Sequence, residues 1–115
     1  MKEFHSTRDK SKDQENNVAK SLGMRRQSNS GATNFYKGDV IGDNILLECK
    51  TVMKESKSFS IKKEWLEKNK EEAFQMRKRY SALAFNFGDN KENYYVIDEK
   101  LFKHLVDYID SISNE

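Results

Sequence analysis

The chain changes rhythm as it is read. Between Ser11 and Gly23 apolar residues are sparse, and Val18, Ala19 and Leu22 fall along one side of a helix. Ser11-Lys12-Asp13-Gln14 has the form of a capping box and Gly23 that of a stop, so a first helix is predicted between them. A short strand is expected over Met24–Gln27. The small polar run from Ser28 to Asn34 reads as a loop. The rhythm then shortens to that of strands at Lys37–Ile41 and Ile45–Thr51, joined through Gly42-Asp43-Asn44.

A second helix is expected from about Ile61 to Tyr80, with Trp65, Leu66, Ala73, Phe74, Met76 and Tyr80 on one arc. Ala82 to Phe87 is apolar on both faces, as a central strand is, and Tyr94 to Ile97 forms its neighbour. Asp98 can cap a last helix that turns Leu101, Phe102, Leu105, Val106, Ile109 and Ile112 inward. The predicted order is α-β-β-β-α-β-β-α, an α/β fold. Residues 1–10 read as a flexible N-terminal arm and residues 11–115 as a single domain, with no internal repeat.

Within the strand pair, charge interrupts the apolar pattern. A two-residue turn at Asp43-Asn44 pairs Gly42 with Ile45 and sets Asp39 opposite Glu48, with Lys50 two residues along on the same face. Opposed side chains have Cβ atoms about 5 Å apart, where like charges repel. A half-buried pair of carboxylates needs a cation, and Mg²⁺ suits hard oxygen ligands. The plainer reading is an exposed sheet face on which the charges are solvated.

Glu15 bears on that choice, because it lies three, four and seven residues before Val18, Ala19 and Leu22 and so on the inward stripe. Either it coordinates something or its carboxylate reaches water past the edge of the core. Together the two features favour a metal site.

Glu15 in a first helix, Ser30-Gly31 in a loop, Asp39, and then Glu48-Cys49-Lys50 resemble the PD-(D/E)xK nuclease superfamily. Within it the chain looks most like the small archaeal- and phage-type Holliday junction resolvases, over about Asp9 to Phe87. Gly38 stands where that pattern has proline, and Cys49 where the triplet has its usual apolar residue.

The resemblance implies a restriction-endonuclease-like mixed β-sheet flanked by helices and a metal-dependent DNA endonuclease. It implies Mg²⁺, with Mn²⁺ as a substitute, held by Asp39, Glu48 and the backbone carbonyl of Cys49, with Glu15 on the metal or its water. It implies that Lys50 orients the attacking water or stabilises charge at the phosphate, and that the Ser30 hydroxyl assists there. A turn serine satisfying its own backbone is the equal alternative for Ser30. Branched or four-way DNA would be the substrate, cut by a homodimer.

Composition adds constraints. Lys+Arg number 21 against Asp+Glu 19, so the net charge of +2 is uninformative and its distribution must carry the argument. Arg25 and Arg26 precede the Ser-Gly loop, while Lys54 and Lys57 follow the Glu-x-Lys strand, positions suited to a phosphate backbone. The lysines of the second helix interleave with Glu64, Glu67, Glu71 and Glu72 and read as a solvated face. One cysteine excludes an intrachain disulfide and fits a reducing compartment. With no apolar run of membrane-spanning length and no signal pattern, the expectation is a cytoplasmic protein with no membrane partner. Two rivals remain: a restriction-like, nicking or repair endonuclease of the same superfamily, and a non-catalytic nucleic-acid-binding module.

Overall fold

The computed structural model describes residues 7–27, 40–88 and 92–113. Its elements are α1 (Thr7–Leu22), β1 (Arg25–Arg26), β2 (Val40–Ile41), β3 (Ile45–Lys50), α2 (Lys63–Gln75), β4 (Tyr80–Phe85), β5 (Tyr94–Val96) and α3 (Glu99–Ser113). The order α-β-β-β-α-β-β-α is the predicted one, and the five strands form a single sheet in the order β1-β2-β3-β4-β5. β1, β2 and β3 pair antiparallel, β3 and β4 parallel, and β4 and β5 antiparallel. The parallel pair needs a crossover, which α2 supplies.

β2 and β3 pair in the register the two-residue turn demands. Val40 lies opposite Leu47 and Ile41 opposite Leu46. The Gly42 N–H donates to the Ile45 carbonyl at 2.9 Å, closing the turn over Asp43-Asn44. Alternation then sorts the strand residues between two apolar layers. On one face Val40, Leu47, Ala82 and Ala84 pack with Val18 and Ala19 of α1, and Ile45 and Cys49 join them. On the other, Ile41 and Leu46 pack with Ala73 of α2 and with Met76. Helices therefore cover both faces of a mixed sheet, the arrangement that buries both sides of a parallel strand pair.

α1 begins at Thr7, a turn before the Ser11 capping box, so residues 7–10 of the expected arm are helical. The box residues spend their side chains elsewhere. The Thr51 hydroxyl donates to Gln14 Oε1 at 2.7 Å and lies 3.1 Å from the Ser11 hydroxyl. Gln14, fully buried, also points its amide at the Ala84 carbonyl at 3.4 Å. α1 ends as the sequence predicts. Gly23 adopts φ +65°, and Met24 N–H bonds the Ala19 carbonyl at 2.9 Å, a glycine-terminated Schellman motif. Leu22, expected inward, is exposed.

α2 stops at Gln75, not Tyr80. The same motif closes it: Arg77 takes φ 60°, and Lys78 N–H reaches the Ala73 carbonyl at 2.8 Å. Ending there turns Phe74 outward, 82% exposed, and frees Tyr80 to open β4. Asn69, buried in α2, donates to the Ala82 carbonyl at 2.9 Å, one residue short of where β5 begins to pair with β4.

The last helix departs furthest from expectation. Asp98 caps it as predicted, accepting from Leu101 N–H at 2.9 Å, but none of its residues is buried. Of the stripe that was to face inward, Leu101 is half-buried and Phe102, Leu105, Val106, Ile109 and Ile112 face solvent.

Candidate functional site

The charged residues of β3 emerge where the strand leaves the apolar layers. Glu48 and Lys50 alternate with Leu47 and Cys49, so they share the α2 side of the sheet with Ile41 and Leu46. Both are half-buried, with Lys50 Nζ 3.7 Å from Glu48 Oε2. The same ammonium sits 4.3 Å from the centre of the Trp65 ring, on α2. A cation held against an aromatic face and beside a carboxylate is fixed in direction as well as charge. Trp65 belongs to an aromatic cluster at that end of the sheet: Phe59 lies 6.2 Å from it and stacks on Phe85 at 4.5 Å. Half-buried, Trp65 forms a wall beside Lys50.

Thr51, the next residue, is anchored to α1 through Gln14 and Ser11. This buried polar tether fastens the end of β3 to the opposite helix. Sequence reasoning missed it, although Gln14 sits one helical turn before Val18, where a polar residue on the stripe is itself a signal.

Glu15 occupies the inward side of α1 and is largely buried. Its Oε1 accepts from Arg26 Nε at 2.8 Å. Arg26 pairs with Val40 and so shares its face, which is α1's. The described site residues thus form two ion pairs, Glu15–Arg26 on the α1 side and Glu48–Lys50 on the α2 side. Both lie toward one end of the sheet: Arg26, Val40 and Leu47 make one row across it, and Glu48 follows Leu47.

Arg25 pairs with Ile41, lies on the α2 side and is exposed. Lys54 and Lys57 are exposed on the segment after β3. That segment crosses close to Gly88, where a Cβ would stand 2.6 Å from the Lys54 carbonyl, and Ser56 N–H bonds the Phe87 carbonyl at 2.9 Å. Of the four basic residues expected at a phosphate backbone, Arg25, Lys54 and Lys57 are open to one, and Arg26 is engaged by Glu15.

Asp39 and Ser30 lie outside the described residues. Among those described, no group of three or more His, Cys, Asp or Glu side chains is gathered to hold a metal ion. Glu48 offers carboxylate oxygen of the kind a hard divalent cation takes, and Val40 stands opposite Leu47. Cys49 packs its side chain with the α1 layer, so only its backbone could serve there. No described helix is long and apolar enough to cross a membrane.

Comparison with known proteins returns no matching family model, no matching curated protein and no matching solved structure.

Proposed function

We propose that this chain is a metal-dependent DNA endonuclease of the PD-(D/E)xK kind, acting on branched DNA as a Holliday junction resolvase does. The observation that carries the proposal is the hairpin: it pairs in the register that a two-residue turn at Asp43-Asn44 sets, with Glu48 and Lys50 side by side and half-buried beside the start of β2. Asp39, Glu48 and the Cys49 carbonyl would hold Mg²⁺ or Mn²⁺, with Glu15 on the metal or its water. A divalent ion supplies a bound water of lowered pKa and charge at the scissile phosphate. Lys50 orients the attacking water and adds fixed positive charge where the phosphate gains negative charge. Trp65 acts through Lys50 as a positioning residue.

Glu15 lies on the opposite face of the sheet from Glu48 and is held by Arg26, so it would reach the metal or its water around the end of the sheet, with Arg26 released. An incoming phosphate competes for that guanidinium, which couples DNA binding to release of the carboxylate. Arg25, Lys54 and Lys57 would follow the backbone on either side. A four-way junction has two-fold symmetry and needs paired cuts, so the enzyme would act as a homodimer in the cytoplasm.

The test is cleavage of a synthetic four-way junction and a matched linear duplex, with Mg²⁺ or with chelator, by the native chain and by Lys50→Ala. Junction cleavage that needs Mg²⁺ and is lost in Lys50→Ala supports the proposal. Equal cutting of linear duplex moves the assignment to a nicking, repair or restriction-like endonuclease. The Glu15–Arg26 pair favours a second reading, a nucleic-acid-binding module without catalysis; tight binding with no cleavage under any metal would establish it.

A further inference from the structure

We infer that α3 is the surface on which two copies of this chain meet, through pairing of its apolar stripe. This names where the copies of the proposed homodimer join, but it stands on the helix itself and not on the nuclease reading. Phe102, Leu105, Ile109 and Ile112 recur at steps of three, four and three, the spacing of a coiled-coil seam. Val106 and Tyr108 flank them. All six side chains are exposed, from 36% at Val106 to 64% at Tyr108.

The helix is held in this outward pose. Asp98 caps its first turn and is paired with Lys70 of α2 at 3.1 Å, and His104 sets its ring edge-on to Tyr80 at 5.8 Å. His104 on the polar side thus touches the body, while on the apolar side only Leu101 is partly buried.

Three features select a second copy as the occupant. The spacing is that of a helix partner with the same knobs and holes, which an identical α3 provides. Lys100, Lys103, Asp107 and Asp110 all lie on the side of the helix away from the seam, and Lys103 pairs with Asp107 at 3.4 Å within it, so a second α3 brings no charge into the contact. The area is also sufficient. The open stripe offers roughly 550 Å² per copy, so pairing buries on the order of 1,100 Å², just above the roughly 1,000 Å² a specific interface requires. A lipid surface fits less well, because Glu99, Asp107 and Asp110 outnumber the two lysines and anionic headgroups favour a basic helix.

The experiment is sedimentation equilibrium of the full chain across a range reaching about 100 µM, a concentration suited to an interface near the small end of the specific class. The native chain is expected to show twice its 13.5 kDa mass. Leu105→Asp/Ile109→Asp places unpaired charges in the seam and is expected to weaken association by about 100-fold or more. Both side chains are exposed, so the body should keep its thermal unfolding transition; a second variant, Lys103→Ala on the polar side, should remain a dimer. A native chain that stays monomeric, or a dimer indifferent to the double substitution, overturns the inference. Monomers that still cut junction DNA would sink the pairing and leave the nuclease proposal standing, while a dimer without cleavage would do the reverse.

Discussion

Replacing Gln14 tests whether the end of β3 is held from across the sheet. Gln14 is fully buried and joins α1 to Thr51 at 2.7 Å and, less closely, to the Ala84 carbonyl at 3.4 Å. Gln14→Leu nearly conserves volume but removes the acceptor from the Thr51 hydroxyl. A net hydrogen bond is worth about 1 kcal/mol and a stranded polar group costs somewhat more, while the nearby Ser11 hydroxyl limits the loss, so about 1–2 kcal/mol is expected. Gln14→Ala adds a cavity where four heavy atoms stood, bringing the total to about 3–4 kcal/mol. Urea denaturation of both single variants, of Thr51→Val and of the Gln14→Leu/Thr51→Val pair gives a double-mutant cycle. The double variant should be more stable than the sum of the singles predicts, by about 1 kcal/mol, because no hydroxyl is left unmatched. Strict additivity, or a Gln14→Ala cost below about 1 kcal/mol, would show that the tether carries no energy.

Other expectations follow from particular residues. Arg77→Gly relieves a left-handed residue at the end of α2 and should raise stability by about 0.5–1 kcal/mol in thermal or urea unfolding, the strain removed being partly offset by a freer unfolded chain. Trp65→Leu takes away the ring beneath Lys50, a contact of about 1 kcal/mol, so junction cleavage should slow about fivefold while Trp65→Phe keeps most of the rate; unchanged rates would mean that Lys50 is oriented by something else. The Leu101 N–H bond, with Lys70 adding, holds the Asp98 carboxyl below its ordinary 3.8. Its folded-state value is the lower one, so its support for α3 is complete above 3.8 and is lost as pH falls through that depressed value. Helicity of α3, followed by hydrogen exchange, should fade on acidification in the native chain, and Asp98→Asn should remove that dependence while still capping.

Much of the fold was legible because its signals are local. The two-residue turn at Asp43-Asn44 determines the register of β2 on β3, and Gly23 and Asp98 mark helix ends by unambiguous chemistry. The misreadings share a different cause: a residue's role was settled by a distant partner. Ser11 and Gln14 match a capping box, yet Thr51 claims both side chains. α2 lacks a glycine stop because Arg77 takes the left-handed conformation itself, and only the bonds back to Ala73 and Phe74 reveal the end. Glu15 and Arg26 were read separately, as metal ligand and phosphate contact, although they are eleven residues apart and bonded to each other. The stripe on α3 was plain in the sequence, but periodicity says which side is apolar and not what covers it.

The borders of the sheet carry a consequence for how this protein avoids unwanted assembly. One border strand, β1, is only two residues long and consists of two arginines; the other, β5, has three residues. Among the described residues neither gives a passing chain much backbone to zip onto, and the exposed Arg25 adds like charge at its border. Fibre-like growth by strand addition is thereby discouraged.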